Sequence, residues 1–199
     1  MMKTSHILKI LAPLLKRPYF TSKEARGLGI PSSALGYYVK TGRLKRISRG
    51  VYQSTDFNGS ISIRWEDLIE AVYSISGGII CLISALAIYE LTEEMPRLHW
   101  IAISNTTSAK ESSSIKIMRF RDVRLGKTEV DLKGVKVPIF NRERCIIDAF
   151  RLLSRETAIK ALKAGLELPK SEKIDLIKLQ KYAKKLRVNI TPYLIAVTT

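Results

Sequence analysis

Residues 20–52 read FTSKEARGLGIPSSALGYYVKTGRLKRISRGVY, and this stretch decides the fold of the N-terminal part of the chain. Thr21 and Glu24 have the spacing of a capping box, which predicts the start of a short helix. Two serines followed by apolar positions at helical spacing predict a second helix, which Gly42 ends. The β-prone residues on both sides of Ser48-Arg49-Gly50 predict a tight hairpin after it.

The two short helices and the turn between them meet the steric requirements of a helix-turn-helix. Two helices that cross steeply need a small residue where they touch, and Ala25 supplies it. Gly29 provides a residue that tolerates positive φ in the turn, and Ile30 and Leu35 provide an apolar plug beneath it. We therefore predict a winged helix-turn-helix over residues 1–58, with a plain α-helical hairpin as the alternative.

The outward side chains of the second helix and the cations of the hairpin are the candidate DNA contacts. Small hydroxyls, an aromatic ring and a lysine on the helix suit base edges in a groove. Arg49 falls at the tip of the hairpin, where a wing would reach phosphates or a minor groove. A solvated edge strand protected by its cations remains the alternative for the hairpin charges. The candidate DNA-binding residues are Thr21, Ser22, Lys23, Ser32, Ser33, Gly36, Tyr37, Lys40, Arg43, Lys45, Arg46 and Arg49.

The net charge of the chain also favours a polyanionic partner. The 199 residues include 34 Lys and Arg against 18 Asp and Glu, which gives a net charge of +16. Residues 1–57 account for +9 of this excess, so the basic density is highest at the front of the chain. The longest apolar stretch, Ile79 to Tyr89, is shorter than the roughly 20 residues that a membrane span needs. The prediction is therefore a cytoplasmic protein with a nucleic-acid partner and no membrane contact, although a generally basic protein remains the alternative.

Residues 59–199 are predicted to form a larger α+β domain with a small, mostly antiparallel sheet and C-terminal helices. A polar, Gly-containing stretch from Thr55 to Ser60 marks the boundary between the two domains. The predicted strands are Leu98–Ser104, Ile115–Phe120, Val130–Leu132 and Val135–Phe140, the last two joined by Lys133-Gly134. The predicted helices are Trp65–Tyr73, Ile80–Leu91, one capped by Asn141 that runs through Leu153, Arg155–Glu167 and Ile174–Leu186.

The sequence does not predict an enzymatic site or a metal site. Glu129, Asp131 and Lys133 alternate as in some metal-dependent nucleases, but alternating charges are also common on an exposed hairpin. His6 and His99 lie far apart in sequence and have no companion ligands. Cys81 and Cys145 lack metal-ligand spacing and are interpreted as reduced core residues, and Ser84 is assigned to core packing. We therefore expect no catalytic residue, no metal and no cofactor.

Several segments resemble the AbiEi family of type IV antitoxins, and together they cover nearly the whole chain. In the N-terminal part they are Phe20 to Ala25, Leu28-Gly29-Ile30, Gly42-Arg43-Leu44 and Ile47 to Tyr52. In the C-terminal part they are Cys81 to Thr92, followed by Pro96, and Asn141 to Asp148.

The resemblance implies a two-domain antitoxin that binds inverted repeats in operator DNA and represses its own operon, with a role in phage defence. It also implies a nucleotidyltransferase-like toxin that the protein counters, mainly through its C-terminal domain and without a stable complex. Two other hypotheses stay open. One is a stand-alone winged regulator whose second domain senses a ligand or partner, and the other is the metal-dependent nuclease.

Overall fold

The computed structural model describes residues 4–48, 50–57, 65–109, 111–132 and 135–198. The chain divides into two compact units, one of residues 1–76 with 130–137 and the other of residues 77–129 with 138–199. The predicted boundary between residues 58 and 59 stays a prediction, because residues 58–64 lie outside the described part of the chain.

The first unit contains the two predicted short helices and the hairpin. A longer helix precedes them, a short strand precedes the first of the two, and the helix predicted as Trp65–Tyr73 follows the hairpin. The elements are α1 (Thr4–Leu15), β1 (Phe20–Thr21), α2 (Ser22–Gly27), α3 (Ser32–Lys40), β2 (Leu44–Ser48), β3 (Val51–Ser54) and α4 (Glu66–Ser74).

The short strand β1 turns the predicted hairpin into a three-stranded antiparallel sheet in the order β1-β3-β2. Phe20 pairs with Tyr52 and Thr21 pairs with Val51. The rings of Phe20 and Tyr52 stack with their centroids 5.8 Å apart, which adds side-chain packing to the backbone pairing. The residues just before α2 are thereby joined to the second strand of the hairpin.

A separate hydrophobic core holds the helices of this unit against the sheet. Leu11, Ala25 and Leu35 are completely buried, and Phe20 and Tyr38 are 1% exposed. These residues come from α1, α2, α3 and β1, so each of these elements contributes to one cluster. Burial of several large apolar side chains at about 1.5–3 kcal/mol each is the main stabilising contribution to such a core.

A complete capping box begins α2, as the sequence predicts. The Glu24 backbone N–H donates to Thr21 Oγ1 at 3.2 Å, and the Thr21 backbone N–H donates to Glu24 Oε2 at 2.7 Å. Arg17 adds an ion pair to the other carboxylate oxygen at 2.8 Å. Partial burial acts to raise the pKa of Glu24, but these hydrogen bonds and the charge of Arg17 outweigh it and lower the pKa below its usual value.

From residue 77 onward the structure has the predicted α+β character. Five strands form one sheet in the order β6-β5-β4-β8-β7, and helices complete the C-terminal part. The elements are β4 (Ile79–Ile80), α5 (Leu82–Ile88), β5 (His99–Ser104), β6 (Ile115–Phe120), β7 (Lys127–Asp131), β8 (Lys136–Phe140), α6 (Arg142–Leu152), α7 (Arg155–Glu167), α8 (Leu176–Leu186) and α9 (Thr191–Thr198).

The predicted fold class is confirmed, but this sheet is mixed where the sequence predicted a mostly antiparallel one. β4 pairs with β5 antiparallel, whereas β4 with β8 and β5 with β6 are parallel pairs. β6 runs in the same direction as β5, because the chain returns from the end of β5 to the level of its first residue before β6 begins. Strand direction depends on the path of this connection, which hydrophobic periodicity does not encode.

Two other details differ from the prediction. The apolar run expected to be one helix from Ile80 begins as strand β4, because Ile79 and Ile80 pair with Ala102 and Ile101. α9 was not predicted at all. The predicted hairpin turn Lys133-Gly134 lies outside the described residues.

Arg144 and Asp148 form an ion pair inside the second unit, where both side chains are 1% exposed. Arg144 Nε donates to Asp148 Oδ2 at 2.6 Å, and the guanidinium group also donates to the carbonyl oxygens of Asp122 and Leu125. Arg151 binds the other carboxylate oxygen of Asp148 at 2.6 Å. Burial raises the pKa of Asp148, although both guanidinium groups act in the opposite direction. The pair therefore joins α6 to the loop that follows β6.

We expect Asp148→Asn to lower the free energy of unfolding by about 3–5 kcal/mol, because it leaves the Arg144 guanidinium buried without its counter-ion. Urea denaturation measures this change. Glu156→Gln is the matched control, because it removes a carboxylate from an exposed i,i+4 pair with Lys160 and should have no measurable effect. Equal effects of the two substitutions would show that the buried pair has no special role.

The capping box predicts a pH-dependent contribution to stability. Because folding lowers the pKa of Glu24, the ionised side chain stabilises the fold above the pKa of an unfolded glutamate, about 4.3. This contribution is lost as the pH falls through the lower, folded pKa. Glu24→Gln keeps an oxygen acceptor but removes the charge, so it should be less stable than the unchanged protein at pH 7, with the difference shrinking towards pH 3 in thermal denaturation. A difference that stays constant across this range contradicts the assignment.

Candidate nucleic-acid interface

α2 and α3 form the predicted helix-turn-helix, and the residues expected to position them are buried. Ala25 is completely buried, and Ile30 and Leu35 are 2% and 0% exposed. Gly29 has a φ of +78°, the left-handed conformation that a glycine adopts without strain. The Ile30 backbone N–H then donates to the Ala25 carbonyl at 3.0 Å and closes the turn. The inner side of α3 is therefore fixed against α2.

The opposite side of α3 is open to solvent. Ser32, Ser33 and Lys40 are exposed, and Gly36 is half-buried between them along the helix. The Tyr37 side chain is 52% exposed, and its ring meets the buried Tyr38 ring edge to face with centroids 5.5 Å apart. The structure thus brings the predicted α3 contacts onto one accessible surface.

Of the candidate DNA-binding residues at the start of α2, some have structural roles and one is exposed. The Thr21 hydroxyl donates to Glu24 Oε2 at 2.8 Å, so its only proton serves the capping box. Ser22 is half-buried, and its backbone N–H donates to the Gly50 carbonyl at 2.7 Å. Lys23 is exposed and carries a cation at the start of α2.

Arg26 is a further exposed cation on α2 that the sequence prediction omitted. It lies three residues after Lys23, so the two side chains share a helix face. Helical spacing within α2 is the signal that could have found it. Its Nε is 3.4 Å from the Ser22 carbonyl, which places the guanidinium group beside the first turn of the helix.

The wing consists of β2 and β3. Arg43 precedes β2, and Arg43, Lys45 and Arg46 are all exposed. Lys45 pairs with Gln53 and Arg46 with Tyr52 in regular register, followed by a shift before Ser48. Consecutive side chains of a strand point to opposite faces, so the wing carries one of these two cations on each face. The sequence prediction had treated them as a single group.

The turn of the wing lies against the beginning of α2. Gly50 has a φ of +83°, and a Cβ atom at this position would be 3.0 Å from Ser22 Oγ. A side chain there would meet both an unfavourable backbone conformation and the serine. The predicted tip residue Arg49 lies outside the described residues.

The segment that forms the helix-turn-helix turn, α3 and the wing carries charges of one sign. The sequence contains no Asp or Glu between residues 25 and 55. Glu24, the nearest carboxylate before this stretch, is paired with Arg17 and hydrogen-bonded to Thr21. α3 and the wing therefore carry only positive charges of their own, as a polyanion requires, whereas the exposed carboxylates Glu66, Asp67 and Glu70 lie on α4, which contacts β2.

Residues considered for a nuclease do not form a metal cluster in the described part of the chain. Glu129 and Asp131 are exposed two positions apart on β7, whereas Lys133 lies outside the described residues. No group of three or more His, Cys, Asp or Glu side chains among the described residues is placed to hold a metal ion. Ser84 is buried and its hydroxyl accepts a hydrogen bond from the Trp100 backbone at 2.9 Å, which confirms its role in packing.

No helix within the described residues combines the length and the apolar character that crossing a membrane requires.

Comparison with solved structures finds a similar fold in the crystal structure of the RV2827C protein from Mycobacterium tuberculosis. The TM-score is 0.52 at 14% sequence identity, and the match covers 91% of this chain and 71% of that chain. No curated protein matches the sequence.

The helix-turn-helix and the wing also coincide with a known sequence family. Residues 9–55 match the family model described as "Transcriptional regulator, AbiEi antitoxin". This range holds α2, α3 and the wing with the core beneath them. The winged helix-turn-helix of this chain is therefore similar to the AbiEi domain of antitoxins and transcriptional regulators, as the sequence resemblance indicated.

Proposed function

We propose that this protein is the antitoxin of a type IV toxin-antitoxin system, which binds operator DNA and represses its own operon. The observation that carries the proposal is the position of the family match. It falls on the segment in which an exposed α3 surface and a cationic wing occur together, and residues 25–55 of that segment contain no Asp or Glu. An AbiEi regulator domain with this surface is suited to double-stranded DNA.

The α3 side chains supply the base contacts in this proposal. Ser32 and Ser33 are small enough to let the start of the helix approach the floor of a major groove. Tyr37 is four residues after Ser33, and Lys40 is three residues after Tyr37, so these side chains lie on the same side of α3. Tyr37 offers a phenol hydroxyl, and Lys40 offers an ammonium group to guanine acceptors.

The wing and the start of α2 supply the contacts to the DNA backbone. Lys23, Arg43, Lys45 and Arg46 are exposed cations, and Arg49 at the wing tip is assigned the same role. Phosphate contacts fix the register of a protein on the duplex and make binding depend on salt. Thr21 and Ser22 then act mainly by holding α2 and the wing turn in place.

The resemblance to the AbiEi family supports the operon-level functions in this proposal. A nucleotidyltransferase-like toxin encoded beside this protein is the expected functional partner, countered without a stable complex and mainly through residues 59–199. Repression through inverted repeats requires two copies of the winged domain on one operator. The protein acts in the cytoplasm and contributes to phage defence in this proposal.

Two other functions make different predictions. A stand-alone winged regulator with a ligand-sensing second domain would have no toxin gene beside it, and an arginine-lined cleft in the second unit favours ligand binding. A nuclease using Glu129 and Asp131 would cleave the operator in a magnesium-dependent manner.

Substitutions on α3 and on the wing should separate base contacts from phosphate contacts. Tyr37→Ala or Lys40→Ala should weaken operator binding by about 1–3 kcal/mol while leaving binding to unrelated DNA nearly unchanged. Lys45→Ala should weaken binding to both DNAs alike and reduce the salt-dependence slope by about 1. Gel-shift titrations at several salt concentrations measure both effects.

Lys127→Ala is the control for loss of one positive charge, because Lys127 is exposed on β7 and belongs to the other compact unit. It should leave the affinity for both DNAs unchanged. If Tyr37→Ala and Lys40→Ala bind the operator as the unchanged protein does, α3 is not the reading helix.

A growth assay tests the antitoxin function separately from DNA binding. Expression of the neighbouring gene alone should arrest growth, and co-expression of the full chain should restore it. Tyr37→Ala should still restore growth while failing to repress a promoter fusion, because toxin neutralisation is assigned to residues 59–199. Failure of the unchanged protein to restore growth would remove the antitoxin function and leave a regulator.

A further inference from the structure

A cleft of about 530 Å³ opens in the second unit where the end of α6, the start of α7 and the segment joining α8 to α9 meet. Three arginines line it, Arg151, Arg155 and Arg187, together with the rings of Phe150 and Tyr193. No acidic side chain is among the described residues that line the cleft. The cleft therefore concentrates positive charge in a concave site.

Arg155 is held in the cleft by aromatic rings. Its Cζ atom is 5.1 Å from the centroid of the Tyr193 ring and 5.8 Å from that of the Phe150 ring. The two rings pack against each other with centroids 4.9 Å apart. Among the described residues Arg155 takes part in no ion pair, so its guanidinium group keeps donors available for an anion.

The other two arginines add to this positive charge. Arg151 donates to Asp148 at 2.6 Å, but Asp148 also balances the buried Arg144. One carboxylate thus faces two guanidinium groups, and a net positive charge remains. Arg187 is exposed, ends α8 in the left-handed conformation with a φ of 57°, and takes part in no ion pair within the described residues.

The chemistry of the lining points to a phosphate-bearing ligand with a flat ring. The guanidinium fork matches the geometry of a phosphate group and binds it through two parallel hydrogen bonds. Aromatic rings and guanidinium planes are surfaces on which nucleobases stack. The volume lies within the range of about 300–1,000 Å³ typical of small-ligand sites, whereas a DNA duplex usually receives a protruding helix or ribbon.

We propose that this cleft binds a free nucleotide. Arg155 and Arg187 donate hydrogen bonds to its phosphate groups, Arg151 adds charge, and the half-buried Tyr193 ring, which packs on the buried Phe150 ring, provides a stacking surface for the base. The second unit is in this way a nucleotide-responsive part of the protein, a property that goes beyond operator binding and toxin neutralisation.

Isothermal titration calorimetry on the full chain tests the proposal, with ATP, inorganic phosphate and adenosine as separate probes. ATP should bind saturably and more tightly than either phosphate or adenosine, since each of these carries only part of the recognised chemistry. Arg155→Gln and Arg187→Asn should each weaken ATP binding about tenfold or more, because each removes a charge-assisted hydrogen bond. Asparagine suits the left-handed backbone at position 187, so Arg187→Asn preserves the helix end.

Two further variants separate a built site from general attraction to a basic protein. Arg155→Lys keeps the charge but loses the planar fork, and it should also weaken ATP binding. Lys163→Gln removes the same charge from an exposed position of α7 outside the cleft, and it should leave ATP affinity within about twofold. Thermal denaturation of each variant confirms that the fold is intact.

The proposal is overturned if ATP shows no saturable binding up to about 1 mM, or if Lys163→Gln weakens it as much as Arg187→Asn. It is also overturned if ATP fails to bind while Arg187→Asn weakens operator binding, because the cleft then contacts the DNA backbone. Loss of ATP binding in Arg187→Asn with unchanged operator binding supports the proposal. Because the calorimetry is done without DNA, saturable ATP binding that is lost in Arg187→Asn would support the nucleotide site even if the assigned operator function were wrong.

Discussion

The pairing of Phe20 and Thr21 with Val51 and Tyr52 is the constraint on which the candidate interface depends. Two residues before α2 are joined by backbone hydrogen bonds to the strand that returns from the wing. The Ser22 N–H bond to Gly50 then fixes the wing turn to the first turn of the same helix. β1 thereby adds a third strand to the hairpin of β2 and β3, and a two-stranded hairpin alone is only marginally stable in water.

The connection between α3 and β2 also fixes the position of the wing relative to α3. α3 runs directly into β2 through Gly42, where the Arg43 N–H donates to the Tyr38 carbonyl at 3.0 Å. Gly42 has a φ of +73°, so the chain turns there without strain. Covalent continuity at one end and strand pairing at the other therefore position the wing beside the helices.

Local signals in the sequence were sufficient for much of this fold. The capping box at Thr21, the turn glycine Gly29 and the apolar plug at Ile30 each depend on neighbouring residues, and the structure contains all three. The two-residue strands β1 and β4 were missed, because a run of two residues has no periodicity to detect. Their formation depends on partners at least 30 positions away for β1 and at least 21 positions away for β4.

Sequence patterns also could not predict the buried charges, because the contacts that bury them come from residues distant in sequence. The residue spacing in α6 is compatible with either an exposed or a buried Arg144. Its burial depends on hydrogen bonds to the carbonyl oxygens of Asp122 and Leu125. It also depends on contacts with the rings of Phe120 and Phe140. The arginine-lined cleft is equally non-local, because Arg151 and Arg187 come from different helices. In the candidate interface the sequence identified the exposed row of α3 but could not show that the Thr21 hydroxyl is already engaged.

The alternation of Lys45 and Arg46 across the wing has a consequence for how the protein tolerates genetic change. Because each face of the ribbon carries its own cation, the loss of one leaves the cation of the other face in place, and the wing keeps part of its positive charge. The α3 positions have no such duplicate, since each side chain occupies its own place along a single helix. If α3 reads the operator as proposed, a selection for cells that have lost repression should recover changes in α3 more often than changes in the wing.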